Sequence, residues 1–456
     1  MNVDVIVVGS GQAGIPLSVR LARAGKQVVL VERGELGGTC LNTGCTPTKT
    51  MIASARAAHV ARTAGRLGVR AGTVSVDLSA VVDRKDGIVR KGREKLEKRM
   101  RDAGEKLTLV RGQARFTGER RLEVAGQTHT ADVVVLDVGA RPVVPPIDGL
   151  QNVPWLSYET VMDLREVPSH LLVLGGGYIG CEFGQMFRRF GAQVTIADVV
   201  PHLLSREDPE ISSALEDVFR EEGIGLELGA KVENVSGQAG RIALRLSGGK
   251  ELRGSHLLVA TGRRPNTDGL GCDAAGIALD KKGFIVADDE YRTSAPGTYA
   301  VGDVIGEPQF THTAWDDHRI LFDLLLGRSR RGRNGRHIPY TAFTDPQVAG
   351  VGLSEREARE RGIAYEVATM PFGEIARAME VDEKAGTMKV LLDPKTERVL
   401  GAAIVGSEAG ELIHIFVALM QAGAPARAIV DAEAVHPTFA EGVQSLVMKL
   451  QRYALS

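Results

Sequence analysis

The sequence holds only four cysteines in 456 residues, too few for a disulfide scaffold. Aromatic residues are scarce at 5%, which leaves no stacking platform for single-stranded nucleic acid. Neither sign of charge dominates. The 56 basic side chains meet 57 acidic ones, for a net charge of −1, and no nucleic-acid partner is expected. Apolar runs are short, and none reaches the roughly 18 residues of a membrane-crossing helix. The N-terminal residues carry no basic region and no small-residue cleavage site, so no secretory signal is expected. The expectation is a cytoplasmic protein with no membrane partner. In that compartment a close cysteine pair is catalytic or metal-binding rather than structural.

Glycine, by contrast, is abundant. Its 54 copies are about 12% of the chain against a usual share of about 7%, without a collagen-like period. Such glycines serve tight turns and close backbone approaches. Apolar residues at 43% suffice for real cores, and the length suggests about three domains.

Residues 3–8 form a continuous apolar run, as in a parallel strand covered on both faces. Gly9-Ser10-Gly11-Gln12-Ala13-Gly14 follows, then a helical stretch over 15–24 stopped by Gly25, then a strand over 28–31 ending at Glu32. The pattern recurs with a strand over 171–174, Gly175-Gly176-Gly177-Tyr178-Ile179-Gly180, a helix to 190, Gly191, and a strand over 194–197 ending at Asp198. The two βαβ units lie too far apart for solenoid repeats. Between them, residues 78–103 read as a long helix with a solvated, charged face. Segments around 143–146 and 264–266 read as crossovers between domains, and the basic, glycine-rich 327–336 as a flexible connection. Strands over 387–392 and 400–405 with helices over 408–421 and 440–450 give the C-terminal part an α+β pattern.

A glycine turn between strand and helix suits a dinucleotide. The first glycine allows the turn, the second lets a pyrophosphate approach, and the third lets the helix pack on the strand. Free N–H groups at the helix start then face the phosphates, and Glu32 is placed for ribose hydroxyls. Pro16 is tolerated in the first helical turn. Two such units suggest two cofactors, a flavin and a nicotinamide. Asp198 would repel a 2′-phosphate, and Val199-Val200 offer no arginine to bind one, so NADH is expected over NADPH. Cys40 and Cys45 stand four residues apart, with Asn42 and Gly44 permitting a turn between them. A helix is expected from about Pro47 through 61, which would put Cys45 at a helix N-terminus, where a thiolate is stabilised. Zinc would need further ligands, so no metal is expected. Cys181 and Cys272 read as packing residues.

Gly37-Gly38-Thr39-Cys40-Leu41-Asn42-Thr43-Gly44-Cys45-Thr46-Pro47-Thr48-Lys49 resembles the redox-active motif of the FAD-dependent pyridine nucleotide–disulfide oxidoreductases. The resemblance covers essentially the whole chain. It matches Gly9, Gly11, Gly14 and Glu32 to the FAD motif, 298–303 with Asp303 to the second FAD motif, and 260–266 to the segment closing the NAD domain. It matches 343–349 to the start of the dimerisation domain, and His436-Pro437-Thr438 with Glu441 to the acid–base pair. The implied fold is α/β: two Rossmann-like dinucleotide-binding domains plus a C-terminal α+β dimerisation domain. The implied domains are 1–148 for FAD with 271–335 as a central region, 149–270 for NAD(P)H, and 336–456 for dimerisation. The FAD contacts would include Thr39, Lys49, Ala114, Gly139 and Asp303, and the nicotinamide contacts Gly175, Gly177, Gly180, Asp198, Val232 and Gly262. Cys45 would be the flavin-side thiolate and Cys40 the interchange thiol, with Lys49 near the flavin and paired with Glu182. His436, oriented by Glu441, would act across a homodimer interface on the partner's Cys40.

Within the family, the main reading is electron transfer to or from a small dithiol or disulfide, as in dihydrolipoamide dehydrogenase. Ala434, where those enzymes carry a second histidine, weakens a pure lipoamide reading. Residues 310–317 and 344–347 look closer to the mercuric-reductase-like branch, which leaves reduction of metal ions or reactive oxidants as the alternative. That branch has a tyrosine at the His436 position and a C-terminal cysteine pair, whereas no cysteine follows Cys272 here. A flavin redox sensor is the alternative of another class, but it would not need the proton shuttle. Asp137 is unexpected, because the family carries a small residue or threonine there.

Overall fold

The N-terminal apolar run forms the strand Asn2–Val8, and in this computed structural model it lies at the centre of a seven-stranded sheet. The structure describes residues 2–306, 308–328 and 331–453. The chain divides into two compact units, 1–50 with 82–143 and 262–336, and 51–81 with 144–261 and 337–456.

In the first unit, Asn2–Val8 pairs in parallel with Val28–Glu32 on one side and Gln127–Leu136 on the other. Leu107–Arg111 and Thr298–Ala300 extend the parallel part, and Ala114–Gly118 and Arg121–Val124 add an antiparallel hairpin. The absence of alternation in the sequence has a simple cause. Val5, Val7, Val28 and Leu30 face one core, while Ile6, Val8, Val29 and Val31 face the other. Each such buried side chain contributes about 1.5–3 kcal/mol. The Gly14–Arg23 helix covers the first face with Ile15, Leu17, Val19 and Leu21.

The second unit repeats the arrangement in a four-stranded parallel sheet of Gly225–Leu228, Gln193–Asp198, His170–Leu174 and His256–Val259, with the helix Tyr178–Phe190 against it. A three-stranded antiparallel sheet over 232–254 packs on the same core. A five-stranded antiparallel sheet spans 340–406, covered by the apolar helix Ala409–Ala422. Buried Arg189 ties these parts, with Nη1 2.6 Å from Asp345 and Nη2 2.6 Å from Glu222. Burial alone would raise the Asp345 pKa, but Arg189 and Arg56 together with His59 outweigh it and hold the carboxyl below its usual range.

The expected crossovers fall close to where the chain passes between the two units, at 143/144 and 261/262, and residues 263–265 there form a strand paired antiparallel with Ala140–Pro142. One expectation needs correction. The described part of 327–336 is pinned rather than flexible, and Ser329 and Arg330 lie outside the described residues. Arg336 reaches Asp317 at 2.9 Å, Arg331 reaches Asp316 at 2.7 Å, and Asp289 accepts the Arg333 and Asn334 N–H groups.

The glycines of the second turn differ in what they permit. A Cβ on Gly180 would lie 1.8 Å from the Gly175 carbonyl oxygen, whereas a Cβ on Gly177 would meet nothing within 4 Å. Gly180→Ala is therefore expected to lower stability by about 1–3 kcal/mol, and Gly177→Ala to leave it unchanged. Thermal unfolding of the two variants checks this contrast.

Candidate active site

Both glycine turns are held shut by the acid that ends the following strand. In the first, Gly9 has φ +104°, and a Cβ on Gly14 would lie 2.0 Å from the Gly9 carbonyl oxygen. Glu32 Oε2 accepts the Ser10 N–H at 2.9 Å and the Ser10 hydroxyl at 2.6 Å, while Oε1 accepts the Gly34 N–H at 2.7 Å. In the second, Gly175 has φ +112°. Asp198 accepts the Gly176 N–H at 2.6 Å and the Val200 N–H at 3.2 Å. Each carboxylate keeps lone pairs for ribose hydroxyls. The open space over Gly177 and Gly139 and the close backbone approach at each helix start fit a dinucleotide at both turns.

The remaining predicted cofactor residues divide by what they offer. Asp303 sits in the short helical turn Gly302–Ile305 and is ion-paired with Arg263. Gly262 has φ +136°, with only Val143 near its missing side chain. Ala114 and Val232 bury their side chains in apolar cores and lie in paired antiparallel strands, so neither offers a side chain to a ligand.

The redox segment differs in detail from the sequence expectation. Cys40 lies in a one-turn helix, Gly38–Asn42, and the next helix starts at Cys45 itself and runs to Thr63. Asn42 is the last helical residue rather than part of the turn. Its Nδ2 donates to the carbonyls of Glu35, Leu36 and Gly38, and its Oδ1 accepts from Arg93 Nε at 2.7 Å. Gly44 is required by contact rather than conformation, since a Cβ there would lie 2.9 Å from the Thr39 carbonyl oxygen. The long helix Leu78–Arg101 presses on the segment. A Cβ on its Gly92 would lie 2.5 Å from Leu41.

The two thiols are unequal. Cys40 is half-buried and Cys45 exposed. The Cys40 thiol is pushed far up, first by its hydrogen bond to Cys45 and then by burial. The same surroundings that disfavour a Cys40 thiolate make Cys45 the better placed of the two to carry charge. Cys45 Sγ lies at the start of its own helix and 3.0 Å from Thr311 Oγ1, which opens another helix, Thr311–Leu325. Lys49 stands one turn along from Cys45 and, by its charge, lowers the Cys40 pKa in part. Cys40, Cys45 and Lys49 thus share one site in the first unit.

In the second unit, exposed His436 Nδ1 lies 2.9 Å from Glu441 Oε2. Glu441 begins the helix Glu441–Met448, and its N–H donates to Thr438 Oγ1 at 3.2 Å. Glu182 is buried and accepts the Phe343 N–H at 2.8 Å.

Three residues escaped the sequence reading. Thr311 had no signal, because it is 266 residues from Cys45. Arg93 was absorbed into a charged helix face. Glu207 accepts Tyr340 Oη at 2.7 Å and Tyr178 Oη at 3.3 Å, and burial raises its pKa to about 7. Only the tertiary neighbours reveal these roles.

Thr311→Val removes the hydroxyl from the Cys45 sulfur. The charged form loses a hydrogen bond, so the thiolate midpoint of the dithiol protein is expected to rise by about one pH unit. Thiolate absorbance near the far ultraviolet, followed against pH, measures it. An unchanged midpoint would mean that Thr311 does not hold the thiolate.

Comparison with known proteins identifies the family. Residues 3–317 match the pyridine nucleotide-disulphide oxidoreductase family, and residues 338–447 match its dimerisation domain. The chain is 34% identical over 445 residues to mercuric reductase of Staphylococcus aureus, covering 97% of this chain and 81% of that protein. It is 34% identical over 463 residues to dihydrolipoyl dehydrogenase of Thermus scotoductus, covering 99% and 98%. The solved Cu(II) complex of the HOCl-induced flavoprotein disulfide reductase RclA from Escherichia coli superimposes with a TM-score of 0.90, at 34% identity over 98% of this chain and 99% of that one. The chain belongs to the pyridine nucleotide-disulphide oxidoreductases, flavoproteins that use FAD and NAD(P)H and in which a dimerisation domain joins two copies.

Proposed function

We propose that the protein is an NADH-dependent reductase of small disulfides or thiol-reactive oxidants, acting as a homodimer. The observation that carries this reading is the unequal thiol pair: half-buried Cys40 beside exposed Cys45, whose sulfur lies at a helix start 3.0 Å from Thr311 Oγ1. FAD, when bound, supplies the two-electron link between the nicotinamide and this pair.

The chain's own residues do the rest. His436 of the partner subunit takes the Cys40 proton, and Glu441 of the partner subunit orients its ring. The Cys40 thiolate attacks one sulfur of the substrate disulfide. The substrate S–S bond breaks, the first thiol leaves with the proton from the imidazolium, and a mixed disulfide remains on Cys40. The Cys45 thiolate, held by Thr311, then attacks the Cys40 sulfur. The second substrate thiol leaves, taking a proton through the same histidine from solvent, and the Cys40/Cys45 disulfide closes. Two electrons have passed to the substrate. Lys49 stands one turn along from Cys45 as the nearby basic residue.

Reduction rather than oxidation of the substrate is supported by the likeness to RclA, described as a flavoprotein disulfide reductase, along nearly the full length of both chains. Hg(II) as substrate is disfavoured. Burial raises the Cys272 thiol to about 11 and Cys181 further, so neither supplies a thiolate for metal transfer. Asp198, already against the second turn, supports NADH over NADPH by repelling a 2′-phosphate.

NADH oxidation is to be assayed side by side with lipoamide, glutathione disulfide, hypothiocyanite and Hg(II). Turnover of at least one disulfide or oxidant is expected, abolished in Cys40→Ser. Retained turnover in that variant would place the chemistry elsewhere. His436→Gln should slow oxidant reduction by about 10²–10⁴-fold while leaving reduction of the enzyme by NADH intact. Asp198→Ser should lower the NADH-over-NADPH ratio of kcat/KM by about tenfold, and no change would remove Asp198 from coenzyme choice.

A further inference from the structure

Asp137 has no counterpart in the family motif, yet it occupies a central position. It follows the strand Gln127–Leu136, and its N–H donates to the Val8 carbonyl at 2.8 Å. Its buried carboxyl lies beneath the first glycine turn, where Oδ2 accepts the Gly14 N–H at 2.7 Å. A Cβ on Gly11 would lie 2.7 Å from the same oxygen, so the carboxyl packs directly against the turn. A Cβ on Gly302 would lie 2.9 Å from Oδ1. One carboxyl group therefore touches both the turn that suits a pyrophosphate and the turn that carries Asp303.

We propose that Asp137 couples FAD binding to proton uptake: its carboxyl must be neutral for the flavin's pyrophosphate to share the start of the Gly14–Arg23 helix. Above the pKa of the free protein, FAD binding draws up to one proton from solvent onto an Asp137 oxygen, and FAD release returns it; below that pKa the proton is already in place. The inference rests on the assignment of the first glycine turn to FAD.

The physical argument is competition for one positive site. The helix start offers free N–H groups and a dipole end, and Asp137 already uses the Gly14 N–H. A buried carboxylate and a pyrophosphate cannot both be charged there at low cost. Burial raises the Asp137 pKa well above the usual range, and nearby Asp303 and Asp317 raise it further, against the lowering by the Gly14 and Ala13 N–H groups. The surrounding charges do not offset this. Arg263 is engaged with Asp303, and Arg336 with Asp317, which also accepts Tyr291 Oη at 2.7 Å and the Gly302 N–H at 2.9 Å. Glu32, from the neighbouring strand, is held by Ser10. Arg20, farther along the helix, lies near Asp323.

The sign follows from linkage. FAD raises the Asp137 pKa, so affinity is full below the free-protein value and falls by up to about tenfold per pH unit above it. The test uses holoenzyme, diluted to equilibrium between pH 5.5 and 9.5, with released flavin read by fluorescence. For the wild type, the logarithm of the dissociation constant should climb with a slope approaching one. For Asp137→Asn and Asp137→Ala, whose folding is checked by circular dichroism, the slope should vanish across the same range. A flat wild-type profile, or variants that keep the slope, would overturn the proposal while leaving FAD as the cofactor. A wild-type protein that holds no FAD at any pH would overturn the cofactor assignment and the proposal with it.

Discussion

The Gly9 carbonyl lies where a side chain on Gly14 would begin, and the Gly175 carbonyl does the same to Gly180. These close approaches draw each helix start against the end of the preceding strand. Helix N–H groups can then face a phosphate without an intervening side chain. Everything else in the two nucleotide sites adjusts to that constraint. Glu32 and Asp198 reach back to hold the turns, and the strands they end are buried on both faces, so the acids have little freedom to leave.

The redox segment obeys a second constraint, which the first unit imposes from several sides. Gly92 leaves room for Leu41, Arg93 holds Asn42, and Gly44 lets the chain pass the Thr39 carbonyl. The one-turn helix and the long helix that follows it make the thiols different in kind. Cys45 has a helix start and a threonine hydroxyl to stabilise charge, whereas Cys40 is half-buried beside it. A pair arranged this way gives one sulfur for exchange and one for holding charge, the division of labour that two-step thiol chemistry needs.

Charged residues inside the protein play two separate roles. Arg189 between Asp345 and Glu222 is a fully paired cluster that fixes the geometry of its unit. Lys389 among Asp208, Glu210 and Glu355 is another, its ammonium ion-paired with all three carboxylates. Asp137 differs because it faces a turn and two further acids, so its proton, rather than a partner cation, sets its charge. Glu207 is intermediate, shielded by two tyrosine hydroxyls.

Much was legible in the sequence because it depends on neighbours in the chain. The two strand–turn–helix units, the start of the Leu78–Arg101 helix, the CxxxxC pair and the His436/Glu441 spacing all follow from periodicity, glycine placement or short-range motif. The start of the Cys45 helix and the pinned residues of 327–336 were misread, because each is decided by contacts made from elsewhere. Thr311 at Cys45 and Asp137 at Gly14 are contacts between distant segments, and no local rule reports them. The sequence by itself determined which residue types could carry two nucleotides and a reactive thiol pair. Only the tertiary structure decided which thiol is the more buried and which acid lies against the phosphate turn, because the first depends on packing around Cys40 and the second on a contact across 123 residues.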